Sequence, residues 1–314
     1  GPAMGVGAAD LTGDGWTDIL VANDGQPNLL WVNQQGKRFS EEGMSRGLAV
    51  NRQGTTEANM GIVAQDLDGN CDPDVFISHL DNEMNTLWLN QGAGVFEDRT
   101  PASGLGPISL PFTGFGVSDL DYDNDGIPDL FVANGEVNVI AEQLTAGDTL
   151  PLRQTDLLFH GLGAGRWEDA TAQGGDSLRQ PAVGRGLATG DVDNDGDSDL
   201  LQTFNNGPVR LLINQRGQDR PWLGLRLLDA AGKRDQLGAQ VTLRAAGLPD
   251  RCRRAAADGS YASAHDPRLR FGLGGGQGDP GAQTVEVRWP DGAVETFAGL
   301  APGRYHALRQ GGGG

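Results

Sequence analysis

Apolar residues in the first two thirds of the chain come in short runs cut off by glycines and acidic clusters, never in long amphipathic stretches. Four of these runs are Ile19-Leu20-Val21-Ala22, Val75-Phe76-Ile77-Ser78, Leu130-Phe131-Val132-Ala133 and Leu200-Leu201-Gln202-Thr203. Each is too short for a helix and carries β-branched or aromatic residues, or leucines, so each predicts a buried strand. A Gly-x-Gly-like entry precedes each one, as in Gly5-Val6-Gly7 and Gly114-Phe115-Gly116. A further apolar segment follows, such as Thr86-Leu87-Trp88-Leu89-Asn90, and then a glycine-bearing turn. A short amphipathic strand, such as Val95-Phe96-Glu97-Asp98, closes the unit. Four short strands per repeat is the pattern of a β-propeller blade. The predicted blades span about residues 1–56, 57–110, 111–180 and 181–216. The last lacks a clear fourth strand. The third is lengthened by residues 136–154, the one stretch that predicts a helix or a long excursion.

Residues 215–220 are polar and read as a linker. Beyond them, residues 221–310 alternate apolar and polar over six or seven short segments with Gly and Pro-Asp-Gly turns, which predicts a small β-sandwich or barrel; a glycine tail fills 311–314. The fold class expected is all-β throughout. Composition agrees: 50 of the 314 residues are glycine, with no collagen period, which fits many tight turns.

Charge narrows the partners. The net charge of −18 disfavours nucleic acid and anionic membranes. No apolar stretch approaches a membrane span, and no signal peptide is visible in a chain that opens Gly-Pro-Ala-Met-Gly inside a repeat. Cys71 and Cys252 are far apart and in no CxxC pattern, so a disulfide between them is the less favoured expectation.

Much of the acid sits in four nine-residue loops, one per blade: DLTGDGWTD from Asp10, DLDGNCDPD from Asp66, DYDNDGIPD from Asp121 and DVDNDGDSD from Asp191. Their starts are 56, 55 and 70 residues apart. Oxygen donors fall at positions 1, 3, 5 and 9, with a backbone carbonyl expected from position 7. The candidate ligands are therefore Asp10, Thr12, Asp14, Trp16 and Asp18; Asp66, Asp68, Asn70, Asp72 and Asp74; Asp121, Asp123, Asp125, Ile127 and Asp129; and Asp191, Asp193, Asp195, Asp197 and Asp199. Oxygen donors in this number suit Ca²⁺, whereas Mg²⁺ prefers fewer carboxylates and zinc or copper would want His or Cys. An EF-hand is excluded, because position 12 is Val21, Ile77, Val132 or Gln202 and the loop runs into a strand. Three or four Ca²⁺ are expected, in a structural role; four would take the net charge from −18 to −10. The loop at Asp66 is expected to be the weakest, since Cys71 stands where glycine eases a left-handed turn. The loop at Asp10 has the poorer donor Thr12.

The entry, the DxDxDGxxD loop and the strand after it resemble the FG-GAP or VCBS repeat of integrin α-subunit propellers and bacterial surface proteins. Segments such as Leu237-Gly238-Ala239-Gln240-Val241, Leu269-Arg270-Phe271-Gly272-Leu273 and Trp289-Pro290-Asp291-Gly292 are similar to the ASPIC/UnbV domain of cartilage-acidic-protein-like chains. The resemblance implies blades of a ring that is usually seven-bladed. It also implies a secreted, periplasmic or cell-surface calcium-binding protein that meets an extracellular protein or glycan. In such chains the third unit often reads Asn-Gly-His-Val; here it is Asn134-Gly135-Glu136-Val137.

No catalytic set stands out. Gly175-Asp176-Ser177-Leu178 spells an esterase nucleophile block, but that chemistry needs a strand-to-helix turn in an α/β sheet. His79 and His160 fit packing roles beside blade strands, and Trp31, Trp88 and Trp167 fit inter-blade core. The alternative is a glycan-active lyase or hydrolase with its site in the propeller channel and the third-unit excursion as a lid.

Overall fold

The computed structural model describes residues 1–244, 249–274 and 281–314. Its elements are almost all strands. The first blade is β1 (Ala3–Ala9), β2 (Asp18–Asn23), β3 (Leu29–Asn33) and β4 (Phe39–Glu41). The second is β5 (Ile62–Gln65), β6 (Asp74–Ile77), β7 (Thr86–Asn90) and β8 (Phe96–Asp98). The third is β9 (Gly114–Leu120), β10 (Asp129–Asn134), β11 (Leu157–Gly163) and β12 (Arg166–Asp169). The fourth has only β13 (Gly184–Gly190), β14 (Asp199–Phe204) and β15 (Arg210–Leu212). Each sheet is an antiparallel meander in chain order, as tight connections require.

Blades pack through apolar faces. Leu20 and Leu30 of the first meet Val75, Ile77 and Trp88 of the second; Phe76 and Leu87 of the second meet Leu130 and Phe159 of the third. Phe131 and Leu158 of the third meet Leu187 and Leu200 of the fourth. Both faces of the middle blades are buried, which is why their strands read as continuous apolar runs.

The first blade differs. Trp31 pairs with Ile19 as Trp88 pairs with Val75, yet Trp31 is 37% exposed and Trp88 1%. Trp31 is thus not inter-blade core, contrary to expectation, because its face of β3 has no blade against it. The outer face of the fourth blade is open too, with Leu201 and Leu211 exposed.

Helices are few and short: α1 (Thr100–Ser103), α2 (Gly106–Ser109) and α3 (Ala141–Thr145). Only α3 lies in the third-unit excursion, so the expectation of a single helical stretch is too narrow. Glu136 fastens that excursion. It is buried, accepts from Thr113 Oγ1 at 2.8 Å, and takes the Val137 and Asn138 N–H groups at 2.7 and 3.1 Å.

The tail forms two sheets. One is β19 (Leu269–Gly272), β16 (Trp222–Leu228) and β22 (Tyr305–Arg309), with β16 and β22 parallel. The other is β18 (Arg251–Arg254), β17 (Gln240–Arg244), β20 (Gln283–Arg288) and β21 (Val294–Leu300). Leu223, Leu225, Val241, Phe271, Val285 and Trp289 fill the space between them. The tail is also stapled to the second blade. Cys71 and Cys252, 181 residues apart, form a disulfide with Cα atoms 5.1 Å apart, which was the less favoured expectation. Spacing could not show this pair, because docking of two separate β units creates it. Among the described residues no helix is long and apolar enough to cross a membrane.

Candidate metal centres

Each acidic loop connects the first and second strands of its blade, and one hydrogen-bond scheme shapes all four. The position-9 carboxylate begins the second strand and is buried. Asp18 accepts the Leu11 and Thr12 N–H groups on one oxygen and the Asn33 N–H on the other. Asp74 does the same with Leu67, Asp68 and Asn90. Asp199 takes Val192 at 2.8 Å and Asn214 at 2.9 Å. Position 9 therefore ties the loop to the end of the third strand. Position 1 braces the turn: Asp10, Asp121 and Asp191 each accept the N–H groups of positions 5 and 6. The position-5 side chain accepts the N–H of position 7 in every loop, at Trp16, Asp72, Ile127 and Asp197.

Curling the backbone this way brings carboxylates together. Oxygens of Asp66, Asp68 and Asp74 lie within 4.8 Å of one another, as do those of Asp121, Asp123 and Asp125, and of Asp191, Asp193 and Asp199. The loop at Asp10 makes no such trio among the described residues. Thr12 stands at its third position, and its hydroxyl instead donates to Asp18 at 3.2 Å. The loop at Asp66, expected to be the weakest, gathers a carboxylate trio, and the loop at Asp10 does not. Cys71 does sit at a φ of 72°, but its disulfide holds it there.

Crowding and burial work against so many charges. Burial pushes Asp66 and Asp129 up to about 6, Asp121 to about 7, and Asp74 to about 8. Asp197, at position 7 of the fourth loop, rises to about 8, through burial first and then its neighbour Asp195. Both of its oxygens are buried with no hydrogen-bond partner. Position 7 was expected to offer a carbonyl only; an aspartate there, among four other aspartates of the loop, was the signal that it could add a side chain. His160 is a second residue whose contact with a loop was missed. Its Nδ1 lies 3.2 Å from Asp129 Oδ1, and this bond lifts its pKa to about 9.

Such trios suit a hard cation: oxygen-only donors in a tight loop with excess negative charge, to which the fourth loop adds the unpartnered buried carboxylate of Asp197. They can hold a metal ion in three loops.

The inner-strand face of the blades is not an open channel. Residues 251–270 of the tail lie along it. Ser260 exchanges backbone hydrogen bonds with Ile62 of β5, Arg253 pairs with Asp119 of β9 at 2.8 Å, and the Thr189 N–H of β13 donates to His265 at 3.1 Å. A cavity of about 80 Å³ remains between them. His79 lies elsewhere, fully buried, with its pKa lowered to about 4 by desolvation. Ser177 lies in the connection before β13, in no strand-to-helix turn.

Comparison with known proteins agrees with this geometry. Residues 10–77, 66–132 and 121–202 match the FG-GAP-like repeat, and residues 229–314 match the ASPIC and UnbV domain. Cartilage acidic protein 1 of Mus musculus is 26% identical over 298 residues, covering 92% of this chain and 42% of that protein. Its Xenopus tropicalis counterpart is 23% identical over 360 residues, covering 96% of this chain and 54% of that protein. The chain thus spans about half the length of these relatives. Among solved structures, an Agrocybe aegerita lectin that recognises terminal N-acetylglucosamine matches at 14% identity and a TM-score of 0.30, covering 68% of this chain and 64% of the lectin. A rhamnogalacturonan lyase of Bacillus licheniformis matches at 10% identity and a TM-score of 0.34, covering 98% and 73%. Likeness this slight carries no functional argument. The repeats and the tail together are the stronger finding: this chain belongs to the FG-GAP-like repeat family and ends in an ASPIC and UnbV domain.

Proposed function

We propose that the protein is an extracellular binding protein of the β-propeller type whose acidic loops hold Ca²⁺ as structural ions and whose blade surfaces meet a protein or glycan partner. The observation that carries this reading is the set of three carboxylate trios, repeated at one place in three blades. Asp66, Asp68 and Asp74, then Asp121, Asp123, Asp125 and Asp129, and then Asp191, Asp193, Asp195 and Asp199 would hold the ions, with Asn70 and the carbonyls of Asp72, Ile127 and Asp197 as further oxygens. In the first loop Asp10, Thr12, Asp14, Asp18 and the Trp16 carbonyl form the poorest set. A bound ion supplies the positive charge that lets these carboxylates stay ionised side by side. Extracellular placement follows from the kind of loop, which fills at the millimolar calcium found outside cells. The similarity to cartilage acidic protein supports it. The channel-enzyme reading loses ground because the tail covers the face where such a site would lie.

The test is thermal unfolding in excess chelator and in millimolar calcium, alongside a calorimetric ion count. Three bound ions and a marked rise in the unfolding midpoint are expected. A protein that binds no calcium and melts at one temperature in both conditions would overturn the reading.

A further inference from the structure

The sixth position of each acidic loop turns the backbone, and its four copies have different surroundings. Around Gly15 of the first loop there is open space: a Cβ there would meet nothing within 4 Å. In the other three loops the tail domain occupies that place. Cys71 is bonded to Cys252 of β18. A Cβ on Gly126 would overlap the guanidinium of Arg251, and one on Gly196 would overlap the indole of Trp222. The loops that gather carboxylate trios are the loops on which the tail sits.

The fourth loop shows the contact in most detail. Tyr305 Oη of β22 donates to Asp191 Oδ2 at 2.7 Å, and the same oxygen accepts the Gly196 N–H at 2.9 Å. Arg268 donates to the Asp191 carbonyl and to Asn194 Oδ1, both at 2.7 Å, with its guanidinium 4.4 Å from the centre of the Tyr305 ring. At the third loop, the Gly274 N–H donates to the Asn124 carbonyl at 3.1 Å. Partners of this kind fix the orientation of a ligand carboxylate without touching the ion.

We infer that the tail domain completes the cation sites of loops two to four from behind, so that ion binding and tail docking form one linked equilibrium, with Tyr305 a positioning residue for the fourth site. The inference rests on the calcium reading above. Its physical basis is short. A stripped loop keeps three or more repelling carboxylates and relaxes outward. Relaxation displaces position 6, the surface against which Arg251 and Trp222 pack. Linkage makes the effect mutual: a tail held in place raises ion affinity by the factor by which the ion favours docking.

The experiment is hydrogen exchange on the whole oxidised protein, in calcium and in chelator, with bound ions counted in the same samples. The amides of Ser260, Asp266 and Gly274 report docking directly, since each donates to a blade or loop carbonyl, of Ile62, Thr189 and Asn124 respectively. Chelation is expected to speed their exchange at least tenfold while amides inside β17 and β20 change little. Tyr305→Phe keeps the ring and removes the hydroxyl; it is expected to weaken one ion by about tenfold and leave the others unchanged. Ions that bind with no change at the three amides would overturn the linkage and leave the calcium reading intact. Unchanged affinity at every site in Tyr305→Phe would remove the role given to Tyr305. Absence of any bound ion would instead overturn the calcium reading itself.

Discussion

The loops at Asp10 and Asp191 share a backbone and differ in what the backbone carries. In both, position 1 takes the N–H groups of positions 5 and 6, and position 9 is buried and ties down the third strand. The Asp191 loop adds a trio of carboxylates, a buried orphan carboxylate at Asp197 and a tail domain resting on Gly196. The Asp10 loop has Thr12, and open space beside Gly15. A repeat can therefore keep its loop for folding alone. Two of the recurring aspartates in each motif act first as acceptors for backbone N–H groups, and the carboxylate trio that could hold a cation is a further layer that only some copies carry.

The largest expected effect tests the side of the comparison that the tail touches. Reducing the Cys71–Cys252 bond frees a loop of 181 residues, which in the chain-entropy picture costs about 5 kcal/mol. The midpoint of denaturant unfolding should fall accordingly, and calcium should restore part of it. Next come the two latches. Asp199→Ala leaves the Val192 and Asn214 N–H groups without their acceptor and should cost about 2–5 kcal/mol together with one bound ion. Asp18→Ala should cost a similar amount but leave the ion count unchanged, as calorimetry on both variants would show. Loss of an ion in Asp18→Ala would erase the distinction between the two loops.

A pH series gives a smaller effect of definite sign. Asp66, Asp74, Asp121 and Asp197 have folded values raised to between about 6 and about 8. The folded state thus holds more protons than the unfolded one above the usual carboxylate range. In chelator, stability should be greatest at acid pH and fall as pH rises through about 8. His160, raised to about 9, adds to the same trend. In calcium the slope should flatten or reverse, because ionised carboxylates are then the bound form. A falling slope that calcium leaves untouched would count against ions in these loops. The smallest change is constructive: Thr12→Asp supplies the carboxylate missing at position 3, and the ion count should rise by one with little change in stability in chelator.

Much of this was legible before any coordinates. The strands follow from apolar runs too short for helices, and the blade repeat follows from four loops with the same flanks. The fourth blade's missing strand was visible as a polar stretch after Asn214. Loop chemistry was legible too, because donors at alternate positions around a glycine turn are a local property. What failed was non-local. The burial of Trp88 and the exposure of Trp31 depend on whether another blade lies beyond, and identical local patterns cannot report that. The sequence also could not show what holds Cys71 at its left-handed position, because its partner arrives from 181 residues away.

The sequence by itself determined the strands, the repeat of the blades and the carboxylates that each loop can offer, since these depend on spacing along one short segment. Only the tertiary structure decided which loops the tail domain covers, that the tail lies across the inner strands, and that Cys71 meets Cys252. Those contacts join separate segments of the chain, 114 residues apart for Tyr305 and Asp191 and 181 for the disulfide. They exist because burial of the tail's surface against the blades, not any local pattern, sets where the two meet.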